Sequence, residues 1–142
     1  MNSLLVDTNV LIYSIDEDSK YFEEAQTILL NRSYDLYTTS KNLSEFLVVV
    51  TKSPRKAISP RKALKILRDL TSFITILYPT PSSNKLFQEM IEKYNPTGFK
   101  IHDFEIASIA LNHHINRIAT FNRKDFQDIS ELELTPNLKG PN

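Results

Sequence analysis

The opening stretch, Ser3-Leu-Leu-Val-Asp-Thr-Asn-Val-Leu-Ile-Tyr13, constrains the fold more than any other part of the chain. Residues 3–6 have strand character, and the apolar run is unbroken, as in a strand of a covered sheet. A helix-like apolar pattern starts directly after Asp7. The run therefore closes on one carboxylate at the mouth of a helix, followed by Thr8 and Asn9. In open parallel sheets, ligands gather outside the carboxyl ends of the strands, so Asp7 is a natural place to hold a metal ion.

Strand and helix patterns alternate from there. Val10, Leu11 and Tyr13 predict a short helix, broken near Asp16-Glu17-Asp18; Ser19 is placed to cap a second helix carrying Phe22, Ala25, Ile28 and Leu29. Residues 35–38 read as a short strand, and Ser40 as the N-cap of a helix from Leu43 to Val50. Ser59 and Pro60 are ordinary helix-start chemistry ahead of Ala63, Leu64, Leu67 and Leu70. Residues 73–78, β-branched and aromatic, predict a buried strand. A helix over 82–94, a turn over 95–98 and a helix over 101–115 come next. Short strands over 117–120 and 131–134 flank a helical turn over 122–126. The alternation predicts an α/β sandwich of three layers, with a mostly parallel sheet of four to five strands covered on both faces. Residues 1–135 read as a single domain and 136–142 as a loose tail.

The totals mainly exclude. The 142 residues contain no cysteine, so neither a disulfide framework nor a thiolate metal site is available. Gly98 and Gly140 are the only glycines, which removes the P-loop and the dinucleotide fingerprint together. No apolar run approaches the roughly 18 residues of a membrane span, and no secretory leader pattern is present, so the cytoplasm is the expected location. The net charge is zero, so contact with nucleic acid must come from a local basic patch.

Four further polar residues are candidates to join Asp7. On the helix after residue 40, Leu43, Phe46, Leu47 and Val50 share one face, while Glu45 lies between Val48 and Val49 in angle. That helix reads as apolar on nearly all sides and therefore buried, where a carboxylate is costly unless paired or bound to a cation. Asp103 falls in the first turn of its helix, on the face of Ile106 and Ala110; a simple dipole partner is the bland alternative. Asn122 and Asp125 follow the strand ending at Thr120, and their spacing also fits a capping box. Asp7 itself fits a helix N-cap. Clustered carboxylates with few other ligands suit hard ions such as Mg²⁺ or Mn²⁺, and the implied chemistry is phosphodiester hydrolysis by water.

These residues resemble the PIN domains, most closely the VapC-like toxin ribonucleases of toxin–antitoxin pairs. Four stretches carry the likeness, which spans nearly the whole chain: Leu5-Val-Asp-Thr-Asn-Val-Leu-Ile-Tyr13, Asn42-Leu-Ser-Glu-Phe46, His102-Asp-Phe-Glu-Ile-Ala107 and Ala119-Thr-Phe-Asn-Arg-Lys-Asp-Phe126. The first is quite specific; the others are weak singly but stand in the right order. The resemblance implies metal-binding acids at Asp7, Glu45 and Asp103, with Asn122 as the fourth position and Asp125 as its neighbour. It also implies Thr8 and Asn9 as supports of Asp7, Mg²⁺- or Mn²⁺-dependent RNA cleavage, frequent homodimers and often a small antitoxin partner. Glu105 departs from the family pattern, where a small or apolar residue is commoner. Asn122 brings no charge, which suggests one tightly held ion and a second recruited with substrate.

Lys52, Arg55, Lys56, Arg61, Lys62, Lys65 and Arg68 form a cationic run, read as a solvated face or as an RNA backbone contact. His102 reads as structural rather than assisting the site, and Tyr13 and Phe46 as core. The main rival is the same fold kept as an RNA- or protein-binding module with weak cleavage, which three intact acids argue against. A phospho-accepting receiver lacks its early acidic pair here, and an aspartyl-phosphatase its Asp-x-Asp, since Asn9 takes the second place.

Overall fold

In the computed structural model, which describes residues 2–52, 54 and 56–136, β1 (Ser3–Val6) is the middle strand of a five-stranded sheet. Around it lie β2 (Asp35–Thr39) and β3 (Thr75–Leu77) on one side, and β4 (Arg117–Ala119) and β5 (Glu133–Thr135) on the other. Every pairing is parallel, with Leu4 opposite Leu36 and Val6 opposite Ala119. A central strand buried on both faces is why residues 4–6 are uniformly apolar.

Side chains alternate across the sheet and so divide the core in two. Leu4 and Val6 face α1 (Thr8–Tyr13), α2 (Phe22–Leu30), α3 (Ser40–Lys52) and α4 (Pro60–Leu70), packing with Phe46, Val50 and Leu67. Leu5 faces the opposite way, onto α5 (Pro81–Tyr94) and α6 (Lys100–Asn112), where Met90, Phe104 and Ile109 are buried. The result is the expected α/β/α sandwich, its sheet fully parallel. Among the described residues, no helix is long and apolar enough to cross a membrane.

Several local expectations needed correction. The burial expected for α3 is confined to Asn42, Phe46 and Val50; Glu45 is exposed, and Val48 is 59% exposed beside it. Among the described residues, α3 packs mainly on α1 and α4, which leaves Val48 and Val49 on its far side exposed. The buried strand expected over 73–78 is an edge strand of three residues. Phe73 lies in a 3-10 turn (Thr71–Phe73) and is 90% exposed, because among the described residues no strand pairs outside β3. Thr39, not Ser40, caps α3: its Oγ1 accepts from the Asn42 backbone N–H, while Asn42 Oδ1 accepts from the Thr39 N–H. Ser19 receives the Tyr21 N–H in a turn, and α2 starts only at Phe22. The sixth helix stops at Asn112, just before His114 with φ of 60°. Ser59 and Pro60 start α4 as expected, and Thr80 starts α5 with a reciprocal capping box to Ser83. The expected loose tail lies beyond the described residues, apart from Pro136.

Candidate functional site

Asp7 ends β1 on the side where α1 begins, and it is 5% exposed. Both carboxylate oxygens are filled. Oδ1 accepts from the Thr8 N–H at 2.9 Å and from Asn42 Nδ2 at 3.1 Å. Oδ2 accepts from the Thr120 hydroxyl at 2.8 Å and from Asn9 Nδ2 at 3.2 Å. The donors come from α1, from α3 and from the residue just beyond β4, so one carboxylate ties three parts of the chain together at one end of the sheet. Each donor is itself held. Asn42 Oδ1 accepts from the Thr39 hydroxyl at 2.7 Å, and Asn9 Oδ1 accepts from the Phe121 N–H at 3.1 Å.

Burial nonetheless dominates the titration of Asp7. It pushes the carboxyl from 3.8 up to about 6, against the lowering effect of the Thr120 and Thr8 hydrogen bonds, with repulsion from Glu45 and Asp125 adding to the rise. Asp103, in the first turn of α6, is pushed to about 7, first by burial and then by the charges of Asp125, Asp7 and Glu45. Lys100 opposes that rise. A helix N-terminus favours a carboxylate, so here desolvation and like charge outweigh the dipole. Burial also raises Asp125, against Lys100 and a 2.9 Å hydrogen bond from Asn122 Nδ2.

The fold therefore brings Asp7 and Asp103 within reach of the charges of Glu45 and Asp125, Glu45 from an exposed position on α3. Asn122 joins through Asp125: its side chain orients that carboxylate, and its N–H donates to Thr120 Oγ1 at 3.1 Å. The capping-box expectation is not met: the Asn122 side chain does not cap the 3-10 turn Arg123–Asp125, and its N–H goes to Thr120 rather than to the Asp125 carboxylate. Glu105 pairs with Lys41 at 3.2 Å, which absorbs the charge that departs from the family pattern.

Among the described residues, no three histidine or acidic side chains sit close enough together to enclose a metal ion. A fully protein-built cage is therefore not what this site offers. The oxygen donors and crowded negative charge fit instead a hydrated hard cation, which binds through one or two carboxylates and keeps several waters. At Asp7 such an ion would compete with the four donors already on the two carboxylate oxygens.

Asn42 and Thr120 were not singled out from sequence, although both fall within the quoted stretches. Their one signal is a hydrogen-bonding side chain at an otherwise apolar boundary; that β4 lies beside β1 is a long-range fact. The cations of α4 (Arg61, Lys62, Lys65 and Arg68) are exposed opposite the buried Ala63 and Leu67, as a solvated face would be. Lys56 pairs with Asp18 at 3.1 Å, and Arg55 lies outside the described residues. His102, His113 and His114 are exposed, Phe46 is core, and Tyr13 packs against Tyr21 and Phe121. An open groove of about 430 Å³ between α1 and α3, lined by Ile12, Ile15, Val49, Asp16 and Lys56 among others, includes none of the four carboxylates.

Residues 4–132 match the family described as PIN domain. No curated protein matches the sequence. Among solved structures, the chain is similar to VapBC2 from Rickettsia felis bound to a DNA fragment from their promoter. The identity is 22%, with 93% of this chain and 96% of that chain covered and a TM-score of 0.69. VapBC-1 from nontypeable Haemophilus influenzae is 24% identical, with 93% and 96% covered and a TM-score of 0.67. VapC20 from Mycobacterium tuberculosis, described as a Sarcin-Ricin loop cleaving toxin, is 11% identical, with 88% and 94% covered and a TM-score of 0.70.

Proposed function

Because the chain belongs to the PIN domain family, we propose that it is a Mg²⁺- or Mn²⁺-dependent endoribonuclease, the toxin of a toxin–antitoxin pair, working in the cytoplasm. The observation that carries this reading is the carboxylate grouping at one end of the sheet, where burial and like charge hold Asp7 at about 6 and Asp103 at about 7. Groups that repel one another in this way are stabilised by a cation.

Asp7, Glu45 and Asp103 would hold that cation, one or two of them directly and the rest through its bound waters, with Asn122 and Asp125 at the same rim. When bound, such an ion lowers the pKa of water and offsets charge developing on a phosphate. The protein contributes position and proton balance. Thr120, Asn42 and Thr8 lock the Asp7 carboxylate, and Asn9, anchored on the Phe121 N–H, sets the orientation of the remaining donor. Asp103 would have to be ionised to hold a cation, and Asn122 fixes the Asp125 carboxylate through a 2.9 Å hydrogen bond. An antitoxin partner is supported by fold likeness to structures described as a toxin-antitoxin complex and as a member of the VapBC family of toxin-antitoxin systems. The homodimer rests on family resemblance alone.

The filled acceptor positions of Asp7 favour a second reading: a PIN-fold module that binds RNA or protein and cleaves weakly. One experiment separates the two. Purified wild type and Asp7→Asn are assayed on a mixed set of structured RNAs with Mg²⁺, with Mn²⁺ and with EDTA. The nuclease reading expects cleavage that needs metal and disappears in Asp7→Asn. Equal background from both proteins, or none with either metal, supports the binding module instead. Light scattering of the purified protein reads the dimer, and co-purification with the product of the adjacent upstream gene reads the antitoxin.

A further inference from the structure

We propose that Phe99 is a nucleobase-stacking platform beside the carboxylate centre, with Lys100 as the phosphate contact next to it, so that the substrate is engaged as unpaired RNA. The inference rests on reading that centre as one that acts on RNA.

Phe99 stands at the entrance to α6 and is 89% exposed. A single exposed apolar side chain is ordinary; its position is what distinguishes this one. Phe99 and Asp103 are four residues apart in a helical stretch, so they share a face and are separated by about one turn, about 6 Å along the axis. The backbone there is well fixed. Gly98, with φ of 64°, turns the chain, and the Ile101 and His102 N–H groups close on the Gly98 and Phe99 carbonyls at 3.1 and 3.0 Å. The His102 ring lies 6.4 Å from the Phe99 ring and is itself exposed.

Lys100 supplies the charge. Its ammonium is held between Asp128 at 2.9 Å and the Lys124 carbonyl at 3.1 Å, a fixed cation at the carboxylate rim. Lys124 is the chain neighbour of Asp125, and Lys100 shares the first turn of α6 with Asp103, so the ammonium lies at the border of the centre. An aromatic ring and a fixed cation side by side are the two elements that single-strand binding combines: a base stacks on the ring while a phosphate meets the charge. In a duplex the base faces are already stacked, so Phe99 selects unpaired nucleotides in loops, bulges or ends.

The test uses the full chain carrying Asp7→Asn, to prevent cleavage, with Mg²⁺ present. Fluorescence anisotropy reads its affinity for a fluorescein-labelled random-sequence RNA oligonucleotide and for an abasic oligonucleotide of equal length. Adding Phe99→Ala is expected to weaken binding to the base-containing RNA about fivefold or more, to leave the abasic binding unchanged, and to be rescued by Phe99→Trp. Lys100→Gln is expected to weaken both ligands and to reduce the slope of log affinity against log salt by about 0.7. Three results overturn the proposal: no measurable affinity of the parent for RNA, equal affinity of the parent and Phe99→Ala, or equal losses on both ligands. A Phe99→Ala variant that merely turns a dimer into a monomer, with RNA affinity intact, also overturns it and assigns Phe99 to a protein contact. Cleavage by the wild type with metal is scored separately. Base-dependent binding without cleavage keeps the platform and removes the nuclease; cleavage indifferent to Phe99 does the reverse.

Discussion

Thr120 donates its hydroxyl to Asp7 Oδ2 at 2.8 Å across 113 residues of sequence. The same oxygen of Thr120 accepts from Asn9 Nδ2 and from the Asn122 N–H, so one hydroxyl joins three residues of the candidate site. Its bond lowers the Asp7 pKa against the effect of burial. Thr120→Val keeps the shape and removes the donor. Loss of a hydrogen bond to an ionised partner is expected to cost about 1.5–3 kcal/mol near pH 8 and less near pH 4, where the carboxyl is neutral. Urea unfolding at both pH values measures it, and equal losses at the two would contradict the assignment of the bond to the charged form.

Asn122 and Asp125 make separable contributions. Asp125 carries charge that acts on both Asp7 and Asp103, whereas Asn122 acts by holding Asp125. Removing a group that orients a ligand typically costs about 10–100-fold in activity or metal affinity. Asn122→Ala is therefore expected to lower metal-dependent cleavage about tenfold, and Asp125→Asn by about 100-fold or more. A double variant no worse than Asp125→Asn alone would show the two acting in series; full additivity would separate them.

Glu105 provides a control. Its ion pair with Lys41 joins α6 to α3 through half-exposed side chains. Such pairs contribute about 0–1 kcal/mol and weaken with salt. Glu105→Gln is accordingly expected to shift the urea midpoint little and the Mg²⁺ affinity not at all. A large loss of metal affinity would place Glu105 among the ligands.

The architecture was readable because the relevant signals are local. Residues 4–6 are apolar without alternation because the strand is covered on both faces, and Ser59-Pro60 starts a helix by its own chemistry. Asp7, as the residue between a strand and a helix, is visible for the same reason. What stayed hidden depends on which surfaces meet. The apolar composition of α3 says nothing about which neighbours arrive, so the exposure of Glu45 and Val48 was not legible. Asn42 and Thr120 acquire their roles only because α3 and the end of β4 converge on the end of β1. Phe73 follows the composition of a strand but lies outside the edge of the sheet.

The raised carboxyls also set the pH dependence of the metal-free fold. Asp7 and Asp103 titrate at about 6 and about 7 in the folded protein, against 3.8 for an ordinary aspartate. Between those limits the folded state holds more protons than the unfolded one, so stability falls as pH rises. The contribution is fully present below about pH 4 and is lost through the folded values, about pH 6 to 7. In EDTA, Asp103→Asn is expected to flatten this fall and to exceed wild type by about 1–2 kcal/mol near pH 8, a figure reduced for the solvent reaching a half-buried group. Near pH 4 the two proteins should be alike. A cation favours the ionised carboxylates, so Mg²⁺ should raise the unfolding midpoint of wild type near pH 8 with a dependence on its concentration, and should raise that of Asp103→Asn much less. Urea titrations with and without Mg²⁺ decide the matter. A wild-type stability that climbs through this window in EDTA would mean that the carboxylates at the end of the sheet do not oppose one another, and the need for a cation there would lose its physical basis.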